Sequence, residues 1–430
     1  MVLTFPIYGL GLYYASASSP TIGYVICCAP FFLIILFHLI DLLYKREFNL
    51  RLNGNYILAM FFFLTAIVSL FIAIGKNLPE LPMRLAILKA VLSVLPYHAF
   101  IIALIYNRDS KKVVKLTFVG LTLLVFINVI GYYGLGMSNT LHNIEGRINF
   151  PFLDGLYAVG CLLAIINLML YYLFVNGLNR PIKAVYQVAF FLLNCFFIFY
   201  INSRLSTLVF MLVMALLILN VRKKFSGVFV ISLFTLPLVL NAGLLIYQIL
   251  SLPFFQSVFQ RSDYIDIVTF NGRSFIWESV IDWFLHDREG LLFGNGYRGH
   301  YYLDLLGGLK KVFDVKALYG VHLHSTTLEI LVCQGLIGAL LFFAIFYKAF
   351  IFFRRHYQSG TVEGALFPVV LFILFIVHVD TYAYLENSGT LIFSVILAII
   401  SVKIPTDRNT SSPHLRVPKK RRISLAKISE

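Results

Sequence analysis

Three polar clusters stand out in an otherwise apolar chain: Asn202-Ser203-Arg204 between two hydrophobic runs, Asn271-Gly272-Arg273 ahead of Ser274-Phe275-Ile276-Trp277, and His322-Leu323-His324-Ser325 just before hydrophobicity resumes. A guanidinium is a planar fork of donors that fits phosphate oxygens. A histidine titrates near neutrality and can accept a proton or donate a hydrogen bond at physiological pH. Arginines and histidines gathered at one membrane face would suit an anionic, lipid-linked substrate.

Each residue also has a plainer reading. Arg204 sits at the edge of an apolar run, where a charge must face a cavity, be paired or snorkel to the interface. Arg273 could form a surface pair with Glu278, which would contribute little; otherwise it meets an anion near the start of a helix, where N–H groups point outward. Ser274–Leu285 has the period of an amphipathic surface helix, with Phe275, Ile276, Trp277, Ile281 and Phe284 available for burial. Gly294-Asn295-Gly296 reads as a tight turn with positive φ and close backbone approach; it follows no strand, so a dinucleotide-binding loop is excluded. Ser325 or Thr326 can cap the next helix. His322 and His324 could ligate a metal, but no Cys or carboxylate spacing supplies further ligands. They could also be interfacial loop histidines.

The elements that must position these residues are membrane helices. Of 430 residues, 60% are hydrophobic and only 13% charged, against about 25% charged in soluble domains. Continuous apolar runs, each long enough to cross a hydrocarbon core of about 30 Å, exclude a β-barrel and predict an all-α polytopic membrane protein. Spans are expected near 23–44, 55–75, 85–106, 116–136, 152–175, 184–201, 205–221, 226–248, 326–350, 364–380 and 388–403, with a weaker first span at 2–18. That makes about twelve transmembrane helices, with short helices in one long loop. No cleavable signal peptide is evident.

The net charge of +15 is no nucleic-acid footprint. Lys and Arg recur in alternate loops: Lys45-Arg46 with Arg51, Arg108 with Lys111, Lys112 and Lys115, Arg180 with Lys183, Arg222-Lys223-Lys224, Lys348 with Arg354-Arg355, and the tail. These hold 23 of the 35 basic residues. The positive-inside rule makes that side cytoplasmic, turns the loop 249–325 outward and puts both termini inside. The tail carries Pro418-Lys419-Lys420-Arg421-Arg422 and reads as a disordered anchor to anionic lipid. Five cysteines, all in apolar runs, read as small buried hydrophobes rather than disulfides or metal ligands.

In order and spacing these residues resemble the bacterial O-antigen polymerase and O-antigen ligase superfamily. The resemblance rests on Ser203-Arg204 opening a span, Arg273 ahead of Trp277, Gly294-Asn295-Gly296, His324-Ser325, and Gly335-Leu336-Ile337-Gly338; it covers roughly 195–350, with Gly146-Arg147, Pro151 and Gly155 a looser echo. It implies a metal-independent, inverting C-type membrane glycosyltransferase without a cofactor. It divides the chain into N-terminal helices 1–194, a catalytic region 195–350, C-terminal helices 351–403 and a basic tail 404–430. The implied donor is an undecaprenyl-diphosphate-linked glycan at the periplasmic face of the bacterial inner membrane. By position Arg204 and Arg273 would hold the diphosphate and His324 would orient or activate the acceptor hydroxyl. Arg147, His322 and Arg298 are candidate substrate contacts, and His322 competes with His324 for the functional place.

Two arginines would neutralise charge developing on a diphosphate leaving group, as a divalent cation can elsewhere. A histidine base contributes roughly 10²–10⁴-fold. Phe254, Phe255, Tyr264, Tyr301 and Tyr302 could stack on sugars or anchor the interface. The expected function is polymerisation of lipid-linked repeat units into O-antigen, capsule or exopolysaccharide, with a saccharide acceptor, membrane lipids and a chain-length regulator as partners. The alternative is a ligase moving finished polymer to lipid A–core or protein. A transporter would need paired charges at the midplane; its candidates, Asp41, Lys89, His98, His378 and Asp380, mostly lie near span ends.

Overall fold

The computed structural model describes residues 1–45, 52–79, 81–138, 148–153, 155–176, 181–201, 203–219, 273–309, 321–385 and 389–403. The predicted span 226–248, Arg147, Phe254, Phe255, Tyr264, Asn202, Asn271-Gly272 and the basic tail lie outside them. The described elements are α1 (Thr4–Ala17), α2 (Pro20–Lys45), α3 (Gly54–Gly75), α4 (Met83–Asn107), α5 (Ser110–Val129), α6 (Gly155–Val175), α7 (Pro181–Ile201), α8 (Arg204–Ile218), α9 (Arg273–Asp282), α10 (Gly299–Tyr302), α11 (Thr326–Gln358), α12 (Leu366–Val379) and α13 (Gly389–Ser401). The fold is an all-α polytopic membrane protein. Among the described residues eight helices are long and apolar enough to cross a membrane, and α8 and α13 are shorter apolar helices.

In a bilayer an apolar helix can face either lipid or protein, so burial by neighbouring helices is what marks the centre of the bundle. All of α13 and nearly all of α12 are buried. The outer helices instead turn large apolar side chains outward, Phe32, Phe37 and Leu43 on α2 and Leu192 and Phe199 on α7.

Two sets of polar contacts mark the two ends of the bundle. At one end Asn53 Nδ2 donates to the Ile400 carbonyl at 2.7 Å, Tyr172 Oη to the Thr361 carbonyl at 2.6 Å and Ser110 Oγ to Glu363. At the other, the Tyr297 N–H donates to the Ser69 carbonyl at 2.8 Å, Tyr302 Oη to the Ala73 carbonyl at 3.1 Å and Thr326 Oγ1 to the Tyr382 carbonyl at 2.8 Å. Arg204, Arg273, His322 and His324 all belong to the second end, as the alternation of basic loops requires.

Some boundaries move for physical reasons. Asp109 caps α5 by accepting from the Lys111 N–H at 2.9 Å, so Lys111, Lys112 and Lys115 sit on the helix rather than in a loop. Long lysine stems reach the interface from there. Helix α11 likewise runs past the expected end at 350 to Gln358, carrying Lys348, Arg354 and Arg355. Helix α1 has 14 residues, about 21 Å of rise, and Phe5 near its start packs against Gly120 and Phe100, midway along α5 and near the end of α4.

Candidate functional site

Helix α11 is broken one-third of the way along. Gly335 has φ 72° and ψ −172°, which no helix accommodates. The break frees backbone groups, which must find partners inside a bundle. The turn 291–296 supplies them. The Asn295 and Gly296 N–H groups donate to the carbonyls of Val332 and Cys333 at 2.9 and 3.1 Å, and the Leu336 and Ile337 N–H groups donate to those of Leu291 and Leu292 at 2.7 and 3.3 Å. Two backbones can approach this closely only without side chains between them. A Cβ on Gly294 would collide with the Cys333 carbonyl, and one on Gly335 with that of Leu292. The Gly-x-Gly turn is therefore half of a joint whose other half is the glycine of the broken helix.

That joint holds α9 over the start of α11. The side chains of Ile276, Trp277, Val280 and Trp283 bury against Leu306, Leu323, Leu328, Val332 and Val379, with Leu205 at the edge. The buried face differs from the expected one: Phe275 and Phe284 are exposed, while Val280 and Trp283 are inside. The helix packs on protein because Trp277 Nε1 can then donate to the Leu323 carbonyl at 3.1 Å. A buried indole N–H needs such an acceptor. From the other side the buried Glu329 carboxylate accepts the Leu323 N–H at 3.1 Å. Leu323 is thus held by its side chain, its N–H and its carbonyl, and the residues flanking it, His322 and His324, are positioned by that grip. His324 takes φ 48°, a left-handed conformation uncommon for its type.

The centre of the site is a residue that sequence reasoning passed over as a span-end charge. Asp380 follows α12, 8% exposed. Its Oδ2 accepts from Arg273 Nη2 at 2.8 Å, and Arg273 Nη1 donates to the Val379 carbonyl at 2.9 Å. Its Oδ1 accepts from the Thr381 N–H at 2.8 Å and faces His324 Nδ1 at 3.4 Å. Burial raises the Asp380 pKa, but Arg273, His324 and the Thr381 N–H outweigh it and hold the carboxyl below its ordinary value. Arg273 therefore pairs with Asp380 and not with the exposed Glu278. Two of its five N–H donors are engaged in these contacts. His324, with 38% of its side chain exposed, turns one nitrogen to a carboxylate and leaves the other able to accept a proton. Carboxylate–imidazole pairs select the tautomer in this way. Tyr157 of α6 lies within electrostatic reach of Arg273 and Asp380.

The second histidine has a different setting. Arg298 donates to the Val321 carbonyl at 2.7 Å and from Nη2 to His322 Nε2 at 3.1 Å. A guanidinium has no acceptor, so His322 Nε2 must be unprotonated. Burial and then Arg298, with smaller contributions from His324, His300 and Lys89, push the His322 pKa well below the ordinary histidine value. The ring is neutral and carries its proton on Nδ1. That atom is buried and has no acceptor among the described residues. A buried donor left unmatched costs about 1–3 kcal/mol. Lys89, the transporter candidate least at ease in its helix, is 6% exposed and donates to Tyr297 Oη at 3.3 Å, with its ammonium over the rings of Tyr24 and Tyr297. Cation–π contact and a phenol hydroxyl accommodate its charge.

Of the residues singled out from sequence, Arg273 and His324 meet on one carboxylate, and His322 and Arg298 form a neighbouring pair. Arg204 opens α8, half-buried, beside Leu205, which reaches the cluster beneath α9. Of the aromatics, Tyr302 docks on the end of α3 with Lys76 over its ring at 5.0 Å. Asp380 and Glu329 were missed as site residues. The available signal was burial: a carboxylate at the end of an apolar run must be paired.

Residues 189–343 match the model of the O-antigen ligase family. The stretch contains Arg204, Arg273, both histidines and both glycines of the joint, and ends before Asp380; it supports kinship with the O-antigen ligase and polymerase superfamily. A comparison with curated proteins finds no match.

Proposed function

We propose that this protein is a membrane glycosyltransferase that polymerises undecaprenyl-diphosphate-linked repeat units at the periplasmic face of the bacterial inner membrane, with both termini in the cytoplasm. The observation that supports the reading is the bridge Arg273–Asp380–His324, in which the arginine would serve as the diphosphate-binding cation and the imidazole as the base.

In this reading the bond from the donor sugar's anomeric carbon to the diphosphate breaks while a bond to the acceptor oxygen forms on the opposite face, giving inversion. The acceptor proton passes to His324, and the lipid diphosphate leaves with the electron pair. Arg204 and the donors of Arg273 not engaged with Asp380 and Val379 hold the diphosphate as its charge grows, which replaces the usual task of a metal. Asp380 stabilises the imidazolium that forms. Arg147 contacts the substrate from outside the described residues, and a partner protein sets chain length.

Complementation of a strain lacking its own polymerase, with glycan length read on a gel, tests the reading. A ladder of polymer supports it; single repeats sink it. The family description favours a second reading, ligation of finished polymer to lipid A–core or protein. Polymer that stays on the lipid carrier when the gene is deleted would support that one.

A further inference from the structure

We infer that His322 is a fixed, neutral hydrogen-bond donor to an oxygen of the acceptor saccharide, held in that role by Arg298. The inference rests on the glycan-polymerising reading of the site and names what its second histidine does.

Three observations carry it. The ring's Nε2 is committed, because Arg298 Nη2 lies 3.1 Å away and can only donate. The ring's Nδ1–H is buried with no acceptor among the described residues, although Leu323 next to it is held on every side. Lys89, Arg298, His300 and His324 are all within electrostatic reach of the ring, so the surroundings favour an electron-rich partner and disfavour a second proton. The same geometry argues against a base, because the Arg298 guanidinium occupies Nε2, the ring's one proton-accepting nitrogen. Saccharide hydroxyl, ring or carboxylate oxygens are acceptors of the required kind, and His324 stands two residues away to activate the neighbouring hydroxyl. A site built to donate one hydrogen bond rejects a sugar that lacks the matching oxygen, so this position is one that selects the acceptor.

The test uses purified full-length protein in nanodiscs. The donor is lipid-linked glycan extracted from cells lacking the gene, and the acceptor is the same repeat unit released from its lipid and fluorescently labelled at its reducing end. His322→Gln keeps an acceptor for Arg298 but lacks the Nδ1 donor, while His322→Asn keeps a donor at the Nδ1 position. His322→Gln should raise the acceptor KM by about tenfold, the factor of one hydrogen bond, and leave donor KM and kcat little changed. His322→Asn, which keeps the donor but loses the acceptor for Arg298, should give an acceptor KM between those of wild type and His322→Gln. A His322→Gln effect on donor KM, or on kcat with loss of the acid limb of the pH profile, overturns the proposal. If wild-type protein fails to extend the acceptor at all, the polymerase reading fails instead. Independent of turnover, 15N spectra of histidine-labelled protein, with His322→Gln to assign the resonance, should show a neutral Nδ1–H ring that does not titrate between pH 5 and 8. A ring that titrates there overturns the assignment.

Discussion

Arg273 and Asp380 lie 107 residues apart in the chain and meet at 2.8 Å, the arginine at the start of a short surface helix and the aspartate at the end of a central one. From sequence position Arg273 reads either as a surface partner of Glu278 or as an arginine that meets an anion. The contact makes it also the counter-ion of a buried carboxylate that faces His324.

Loss of Asp380 should therefore separate chemistry from binding. In Asp380→Asn the amide can still accept from Arg273, but the charge that stabilises an imidazolium is gone. We expect kcat to fall by about 10²–10⁴-fold, the range for a compromised general base, with donor KM changed far less. Steady-state transfer assays at saturating acceptor measure it; unchanged kcat would remove Asp380 from the mechanism.

Arg273→Ala and His324→Ala should both abolish transfer, yet differ in stability. The first strands a buried carboxylate, which costs about 3–5 kcal/mol when a buried pair loses one partner. The second removes a weaker, half-exposed contact. Thermal unfolding in detergent should show a marked drop for Arg273→Ala and little for His324→Ala. Arg204→Ala should also abolish transfer while leaving membrane abundance normal.

Stability should fall on mild acidification through His322. Its folded pKa lies below its unfolded value, so the unfolded state binds the extra proton. The contribution is complete above the unfolded pKa of about 6.5 and is lost as pH falls below it, by at most about 1.4 kcal/mol per pH unit. The unfolding midpoint of His322→Gln should depend less on pH between 7 and 5 than that of wild type. Asp380 acts in the same direction only below its unfolded pKa of about 3.9, so it does not contribute in that window.

Gly335→Ala should open the joint. The residue has φ 72° and its Cβ would meet the Leu292 carbonyl, so strain and clash together should cost roughly 2–3 kcal/mol or more. Gly75→Ala is the control, since an added methyl there meets no atom within 4 Å. Limited proteolysis between Trp283 and Tyr302 should accelerate in Gly335→Ala alone; equal rates would mean the turn is held by other contacts.

The helices and their sidedness could be read from the chain because their causes are local. An apolar run such as Leu366–Val379 has to be a helix in hydrocarbon, and basic residues at Lys45, Arg108 and Arg355 mark one side whatever the helices pack against. Arg273, His324 and the two glycine motifs were visible for the same reason, as residue types out of place in their surroundings. What tertiary structure alone decided is which ends meet. Asp380 becomes the partner of Arg273 and His324 because α12 ends beside the starts of α9 and α11, and Gly294 becomes the complement of Gly335 because the loop folds back onto the broken helix. No spacing encodes those meetings, since each depends on how helices pack around a common centre. The same packing separates the two histidines. Beside Asp380, His324 gains a carboxylate partner; two residues earlier, Arg298 and burial keep His322 neutral.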